Sequence, residues 1–313
     1  MADRYQRVAV TAAINGGDVL PSQSAAIPRG AEGIVDSAVQ AAAAGAACVH
    51  LHAREADGRP TGSGKLMAEI VGGIRARCDV VVNVSTGGSI GMKLEERLAG
   101  VYAARPDIGT LNLGTMNYES FAGRRPVPDL LAWEREIVES SGQGIFVNTL
   151  DTIRRIAAAF KELQITPELE AYDLGHLSMA RFLLDEGTLE PPVRVQLVLG
   201  VLGGASNSLE DLVLLKDAAM HILGADLQTL GVAATGYPME FRHAAVALAW
   251  GMNCRVGLED NLRIARDRPA KSNAELVEVT VQLARLVGRP LMSAQQFRES
   301  LGPWSRSSSV TLG

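Results

Sequence analysis

The stretch Cys48-Val49-His50-Leu51-His52-Ala53-Arg54 decides how the chain is read. It follows an alanine-rich run from Ser37 that closes on Gly45, as a helix does, before small and β-branched residues take over. On a strand, successive side chains alternate faces, so His50 and His52 point one way and Leu51 the other. Two imidazoles on one face suit a divalent metal such as zinc, which would still need a third protein ligand and an open position for catalysis. Two histidines satisfied by hydrogen bonds alone would look the same from this segment.

Outward from that strand, short apolar or β-branched runs alternate with runs of helical period. Strands are expected from Val8 to Ile14, Ala47 to Ala53, Val80 to Val84, Ile108 to Leu113, Glu168 to Tyr172, Val193 to Leu199, Leu227 to Ala233 and Cys254 to Leu258. Helices are expected from Ala31 to Ala44, Lys65 to Arg77, Leu94 to Ala104, Val127 to about Ser140, Thr149 to Gln164, onward from Leu177, Leu209 to Leu223, Glu240 to Trp250 and Asn273 to Val287. This alternation predicts an α/β fold, a (β/α)8 TIM barrel forming a single domain over 1–313, with about 268–313 as a C-terminal helical extension. A doubly wound open sheet is the second choice, but no Gly-x-Gly-x-x-Gly follows the first strand to hold a dinucleotide.

Composition agrees with a soluble enzyme-sized domain: 313 residues, 47% hydrophobic, 21% charged, with 32 glycines. A net charge of −5 without a basic cluster argues against a nucleic-acid partner. Three scattered cysteines, Cys48, Cys78 and Cys254, read as reduced thiols and not as a disulfide framework. No signal-peptide layout opens the chain, and no apolar run approaches the roughly 20 residues of a membrane span, so a cytoplasmic location is expected.

In such a barrel the reacting groups come from the carboxyl ends of the strands. Those ends present Asn15 and Asp18, His50 and His52, Ser85 and Thr86, Thr110 and Asn112, Glu168 and Glu170, Gln196, and Arg255, Glu259 and Asp260. Any one of them reads as a helix cap, but a polar set from most of the strands reads as a site. Glu259 is the natural third metal ligand, because strand eight closes beside strand one. Asp260 would stand next to the metal as a base, with Arg255 paired to Glu170 or Glu168. Glycines at Gly87, Gly88 and Gly200 to Gly204 let backbone approach a phosphate or a pantetheine arm. His176, His221 and His243 stand alone and read as capping or surface residues.

Five segments together resemble one family: Thr11-Ala-Ala-Ile-Asn-Gly-Gly-Asp18, Val49-His-Leu-His-Ala-Arg54, Asn83-Val-Ser-Thr-Gly-Gly88, Pro167-Glu-Leu-Glu-Ala-Tyr-Asp-Leu-Gly175 and Arg255-Val-Gly-Leu-Glu-Asp-Asn261. They are similar to the β-keto acid cleavage enzymes, whose type is the 3-keto-5-aminohexanoate cleavage enzyme. The likeness runs on through Ala270-Lys-Ser-Asn273 and Gly288-Arg-Pro290. The resemblance implies a zinc-dependent homo-oligomeric barrel, dimer or tetramer, that converts a β-keto acid and acetyl-CoA into acetoacetate and a new acyl-CoA. It implies His50, His52 and Glu259 as metal ligands, with another divalent metal able to take the place of zinc. It implies Asp260, Arg255 and Glu170 as catalytic, Glu170 being nearer the strand end than Glu168. It also places Asp18, Ser85, Thr86, Thr110, Asn112 and Glu168 around the substrate.

Two departures from the family pattern are expected to matter. Asp18 stands where the aminohexanoate type has a glutamate, which suits a cationic and bulkier acid such as one bearing a trimethylammonium group. Ala234-Thr-Gly-Tyr-Pro-Met-Glu240 replaces a Gly-Arg-x-Gln-like stretch, altering contacts with CoA or substrate on that side. A metal-dependent aldolase or hydrolase without CoA, and a barrel that binds metal or ligand without turnover, are the other readings.

Overall fold

The computed structural model describes residues 6–88, 91–121 and 129–302. Eight parallel strands close into a barrel: β1 Val10–Ala13, β2 Cys48–Leu51, β3 Val81–Val84, β4 Ile108–Asn112, β5 Thr166–Ala171, β6 Val193–Leu199, β7 Leu227–Ala234 and β8 Asn253–Val256. Each pairs with its neighbours in sequence, and β1 pairs with both β2 and β8. The expected single-domain TIM barrel is therefore what the chain forms.

The helices are α1 Gly30–Ala43, α2 Gly64–Arg77, α3 Leu94–Ala104, α4 Ala132–Ser140, α5 Leu150–Leu163, α6 Leu174–Asp185, α7 Leu209–Leu223, α8 Met239–Trp250, α9 Asn273–Leu286 and α10 Ala294–Glu299. Within the segment from about 268 onward, α9 packs between α8 and α1 on the outside of the barrel. α6 begins before Leu177 because the Asp173 side chain accepts the His176 N–H and caps the turn. α10 has only six residues, too few to show a helical period, and is started by Ser293 and Gln296 in a capping box. Val127, the expected start of the fourth helix, and Pro303 lie outside the described residues.

Strand alternation sorts the core. On β2, Val49 and Leu51 join the apolar layer under the helices, with Val82, Val84, Leu111 and Leu169 from neighbouring strands. Cys48 on the other face packs with Val81, Ile108, Phe297 and Leu301, so α10 and the residues after it close the floor of the barrel. His50, two residues further along that face, lies level with Asn83 of β3. An insertion after β4 covers the opposite end: an antiparallel pair, Met116–Asn117 with Ile145–Phe146, and α4. Glu134 of α4 accepts from the Ser22 hydroxyl at 2.5 Å and from its N–H at 3.0 Å, which ties the insertion to the loop after β1.

Candidate active site

Glu259 reaches the two histidines from across the β1–β8 seam. After β8 the chain passes through Gly257 at φ 154°, packed so close to β1 that a Cβ would overlap the Ala13 carbonyl oxygen. Only glycine fits there. Two buried side chains brace the turn. Glu240 accepts the Gly257 N–H at 2.8 Å and the Asn261 amide at 2.9 Å. Asn273 accepts the Leu258 N–H at 2.8 Å and donates to the Ile14 carbonyl at 2.8 Å. The turn so held presents Glu259 and Asp260 to the barrel mouth.

Glu259 Oε2 lies 3.5 Å from His50 Nε2, and Oε1 lies 3.5 Å from His52 Nε2. All three residues offer ligand atoms within 4.8 Å of one another. Burial drives the His50 ring down to about 3, leaving it neutral with a lone pair to give. Burial works against ionised Glu259, but Arg255 and the two histidines outweigh it and hold the carboxyl well below the usual range. Glu259 Oε2 is buried with no hydrogen-bond partner. Two imidazoles, that of His50 kept neutral by burial, and a carboxylate with an unused oxygen are a donor set that fits a divalent cation.

Arg255 joins this cluster to the rest of the site. It grips Asp260 through two contacts, 2.9 and 3.0 Å, and reaches Glu259 at 2.9 Å and Glu170 at 3.1 Å. Its strand-five partner is thus Glu170. Burial lifts Glu170 to about 7, and burial together with the Glu259 charge raises Asp260 despite the guanidinium. The Tyr172 hydroxyl donates to Asn112 Oδ1 at 3.1 Å and faces Glu170 Oε2 at 3.3 Å.

Asp18 is placed by Arg54, a fully buried guanidinium at the end of β2. Arg54 donates to the carbonyls of Asn15, Gly16, Val19 and Gly58 at 2.7 to 3.0 Å, which fixes the loop that carries Asp18. The Tyr118 hydroxyl donates to Asp18 Oδ2 at 2.6 Å, and burial raises the Asp18 carboxyl.

Asp18, His50, His52, Ser85, Asn112, Glu170, Arg255 and Glu259 line one small inner pocket. Asp260 lines a larger cavity of about 840 Å³ beside it, which extends past Gly200 and Leu202 to Arg263. Three residues expected around the substrate are not in that inner wall. Thr86 and Thr110 bond each other, N–H to Oγ1 at 3.1 Å and Oγ1–H to carbonyl at 2.6 Å, and both are buried. Glu168 lies deeper in the barrel and accepts from Asn83 Nδ2 at 2.7 Å. His176 accepts the Tyr172 N–H at 3.0 Å, and His243 is buried against the Met239 carbonyl at 2.9 Å.

Three aromatic residues of the pocket escape sequence reasoning. Tyr118, Phe146 and Tyr172 line it together, with ring centroids 5.8 Å apart for the first two and 6.4 Å for the last two. Tyr172 stands two residues after Glu170, a spacing that does put it on the same strand face. Tyr118 and Phe146 come from the inserted pair, and nothing local marks them.

A profile described as beta-keto acid cleavage enzyme matches residues 7–302. The chain belongs to the β-keto acid cleavage enzyme family. It is 35% identical over 298 residues to the 3-keto-5-aminohexanoate cleavage enzyme of Acetoanaerobium sticklandii, covering 95% of this chain and 98% of that one. It is 34% identical over 300 residues to the 3,5-dioxohexanoate:acetyl-CoA acetone transferase of Paraburkholderia graminis, covering 95% and 96%. ObcA bound to oxaloacetate superposes with a TM-score of 0.69 over 89% of this chain and 68% of that one, at 20% identity, a likeness of fold. One curated relative of this family member is named for an amino-substituted acid and the other for an acid with a second ketone, so membership leaves the substrate open.

Proposed function

We propose that this family member condenses a β-keto acid with acetyl-CoA and releases acetoacetate and a new acyl-CoA, and that its β-keto acid carries a cationic head. The observation behind this is a single pocket in which Asp18 and three aromatic rings face the His50, His52 and Glu259 cluster. A divalent ion held by those three side chains, zinc on this reading, would polarise the substrate ketone as a Lewis acid.

The remaining chemistry belongs to the chain's own groups. Asp260, oriented by Arg255, takes the proton from the carbon between the carboxylate and the ketone. That carbon then attacks the acetyl-CoA thioester, whose acyl end would lie in the larger cavity between Asp260 and Gly200. The released CoA thiolate adds to the substrate's own ketone carbon, the bond between the two carbons breaks, and Asp260 returns its proton to the departing acetoacetate. Ser85 and Asn112, which line the pocket, would bond the substrate's carboxylate, while Glu168, Thr86 and Thr110 would act through the neighbours they hold.

A cation is favoured because Asp18 stands in the pocket outside both the Arg255 contacts and the His50, His52 and Glu259 cluster, and because the aromatic faces beside it attract ammonium groups. We further place the protein in the cytoplasm, where its three free cysteines would stay reduced, and as a dimer or tetramer. No described helix is long and apolar enough to cross a membrane.

The test is a panel of cationic, neutral and anionic β-keto acids, each incubated with and without acetyl-CoA while new acyl-CoA is followed by mass. Acyl-CoA should form only with acetyl-CoA, fastest from a cationic acid, and chelation should stop it until zinc is restored. Turnover without acetyl-CoA would return the site to the aldolase or hydrolase reading. Asp18→Asn should erase the preference for a cation; an unchanged preference would sink that part.

A further inference from the structure

The metal cluster stands above a polar column that takes no part in the proton and bond transfers above. His50 is level with Asn83 across β2 and β3, and Glu168 is level with Arg194 across β5 and β6. Asn83 Nδ2 donates to Glu168 Oε1 at 2.7 Å, and Asn83, Glu168 and Arg194 are all buried. Arg194 is anchored in turn at the floor. It donates to the Ser300 carbonyl and to Gln228 Oε1, each at 3.2 Å, and its guanidinium lies 4.9 Å from the Phe297 ring centroid.

Three atoms of this column are buried without a hydrogen-bond partner: Arg194 Nε near the floor and, at the top, His50 Nδ1 and Asn83 Oδ1. The last two matter for the metal cluster. They belong to the register pair, and each is what the other lacks, a ring nitrogen able to donate and an oxygen able only to accept. The amide has one workable orientation. A carboxylate such as Glu168 accepts, so the NH2 must face it, and the oxygen is left for the histidine. The reverse orientation would set the amide oxygen against Glu168 and aim two N–H groups at the ring.

We propose that Asn83 is a positioning residue for the metal centre: oriented by Glu168, its amide holds His50 as the Nδ1–H tautomer and so turns the Nε2 lone pair toward Glu259. An acceptor behind a ligating histidine fixes both the tautomer and the ring plane, and loss of such partners typically weakens metal binding. With the proton on Nε2 instead, His50 would present a donor where a lone pair is needed. The column makes Arg194 and the α10 floor a distant support of the same ligand, through Glu168. The inference rests on the reading of His50, His52 and Glu259 as a metal site.

The test measures zinc affinity of the whole protein by competition with a chromophoric chelator, together with the visible absorption of the cobalt(II) form. Asn83→Leu keeps the branching at Cγ and removes the acceptor. It should weaken zinc binding about 10–100-fold and alter the cobalt band, a signature that loss of stability alone would not produce. Glu168→Gln lets the Asn83 amide turn either way and should give a smaller loss with the same change of band. If Asn83→Leu fails to fold, Glu168→Gln decides alone. Unchanged zinc affinity and an unchanged cobalt spectrum in a folded variant would overturn the proposal while leaving the metal site intact. A parent protein that binds no divalent metal would overturn both.

Discussion

The two ends of this barrel are lined by the same strands and built on opposite principles. At the floor, Cys48, Val81 and Ile108 meet Phe297 and Leu301 in an apolar plug. At the mouth, two residues further along β2 and four further along β4, His50 and Asn112 converge with Glu170 of β5, Arg255 of β8, and Asp18, Glu259 and Asp260. The floor is held by area removed from water, which needs no particular geometry beyond a good fit. The mouth buries charges, which is tolerable only where each carboxylate finds a partner. Arg255 meets that condition for three of them at once. Stability is stored at one end so that the other can hold charged groups close together.

The largest effect is expected at Arg255. Arg255→Met leaves Glu170, Glu259 and Asp260 buried without their common cation, so chemical denaturation of the metal-free variant should show a loss of about 3–5 kcal/mol. Acetyl-CoA-dependent turnover should vanish with it. A variant as stable as the parent would mean that the mouth is not held together by pairing.

Asp260→Asn keeps the shape and removes the carboxylate proposed as the base. Turnover should fall about 10²–10⁴-fold, with a melting temperature close to the parent's. A large drop in stability with turnover retained would give Asp260 a structural role instead.

At the floor the expectation reverses. Phe297→Ala opens a cavity in the plug and removes the ring beneath Arg194, and should cost about 3 kcal/mol of folding free energy. Turnover of the folded protein at low temperature should change little, measured with substrate and metal in excess. Equal damage to both would show that the two ends are not separable.

The smallest effect is expected at the rim. Tyr118→Phe removes the hydroxyl that donates to Asp18 and keeps the ring. The KM for a cationic acid should shift by about tenfold, or about 1.4 kcal/mol, while kcat stays near the parent value. A kcat effect without a KM effect would place Tyr118 in the chemistry and not in recognition.

Much of this molecule was legible beforehand because barrel strands advertise themselves. The pattern Glu168-Leu169-Glu170 has polar residues on one face and an apolar residue on the other, as does Cys48 to His52, so faces and strand ends could be assigned. The approach of Glu259 to His50 and His52 followed from the closing of strand eight on strand one. Arg255 could not be matched to Glu170 or Glu168 by spacing alone, because both lie on the inward face; depth along the axis decided for Glu170. Thr86 and Thr110 sit at strand ends in sequence, yet bond each other instead of facing the pocket. α10 was illegible because six residues carry too little period, although Phe297 is a main part of the floor.

The sequence by itself determined the alternation of strands and helices, the faces of the strands, and which polar residues gather at the mouth, because those depend on neighbours a few residues apart. Only the tertiary structure decided that Tyr118 and Phe146 of the insertion would wall the pocket beside Asp18, and that Glu168 would bond Asn83 below His50. Those contacts join residues 100 and 85 positions apart. Their geometry is set by barrel closure and by the packing of the insertion over the mouth, which no local pattern encodes.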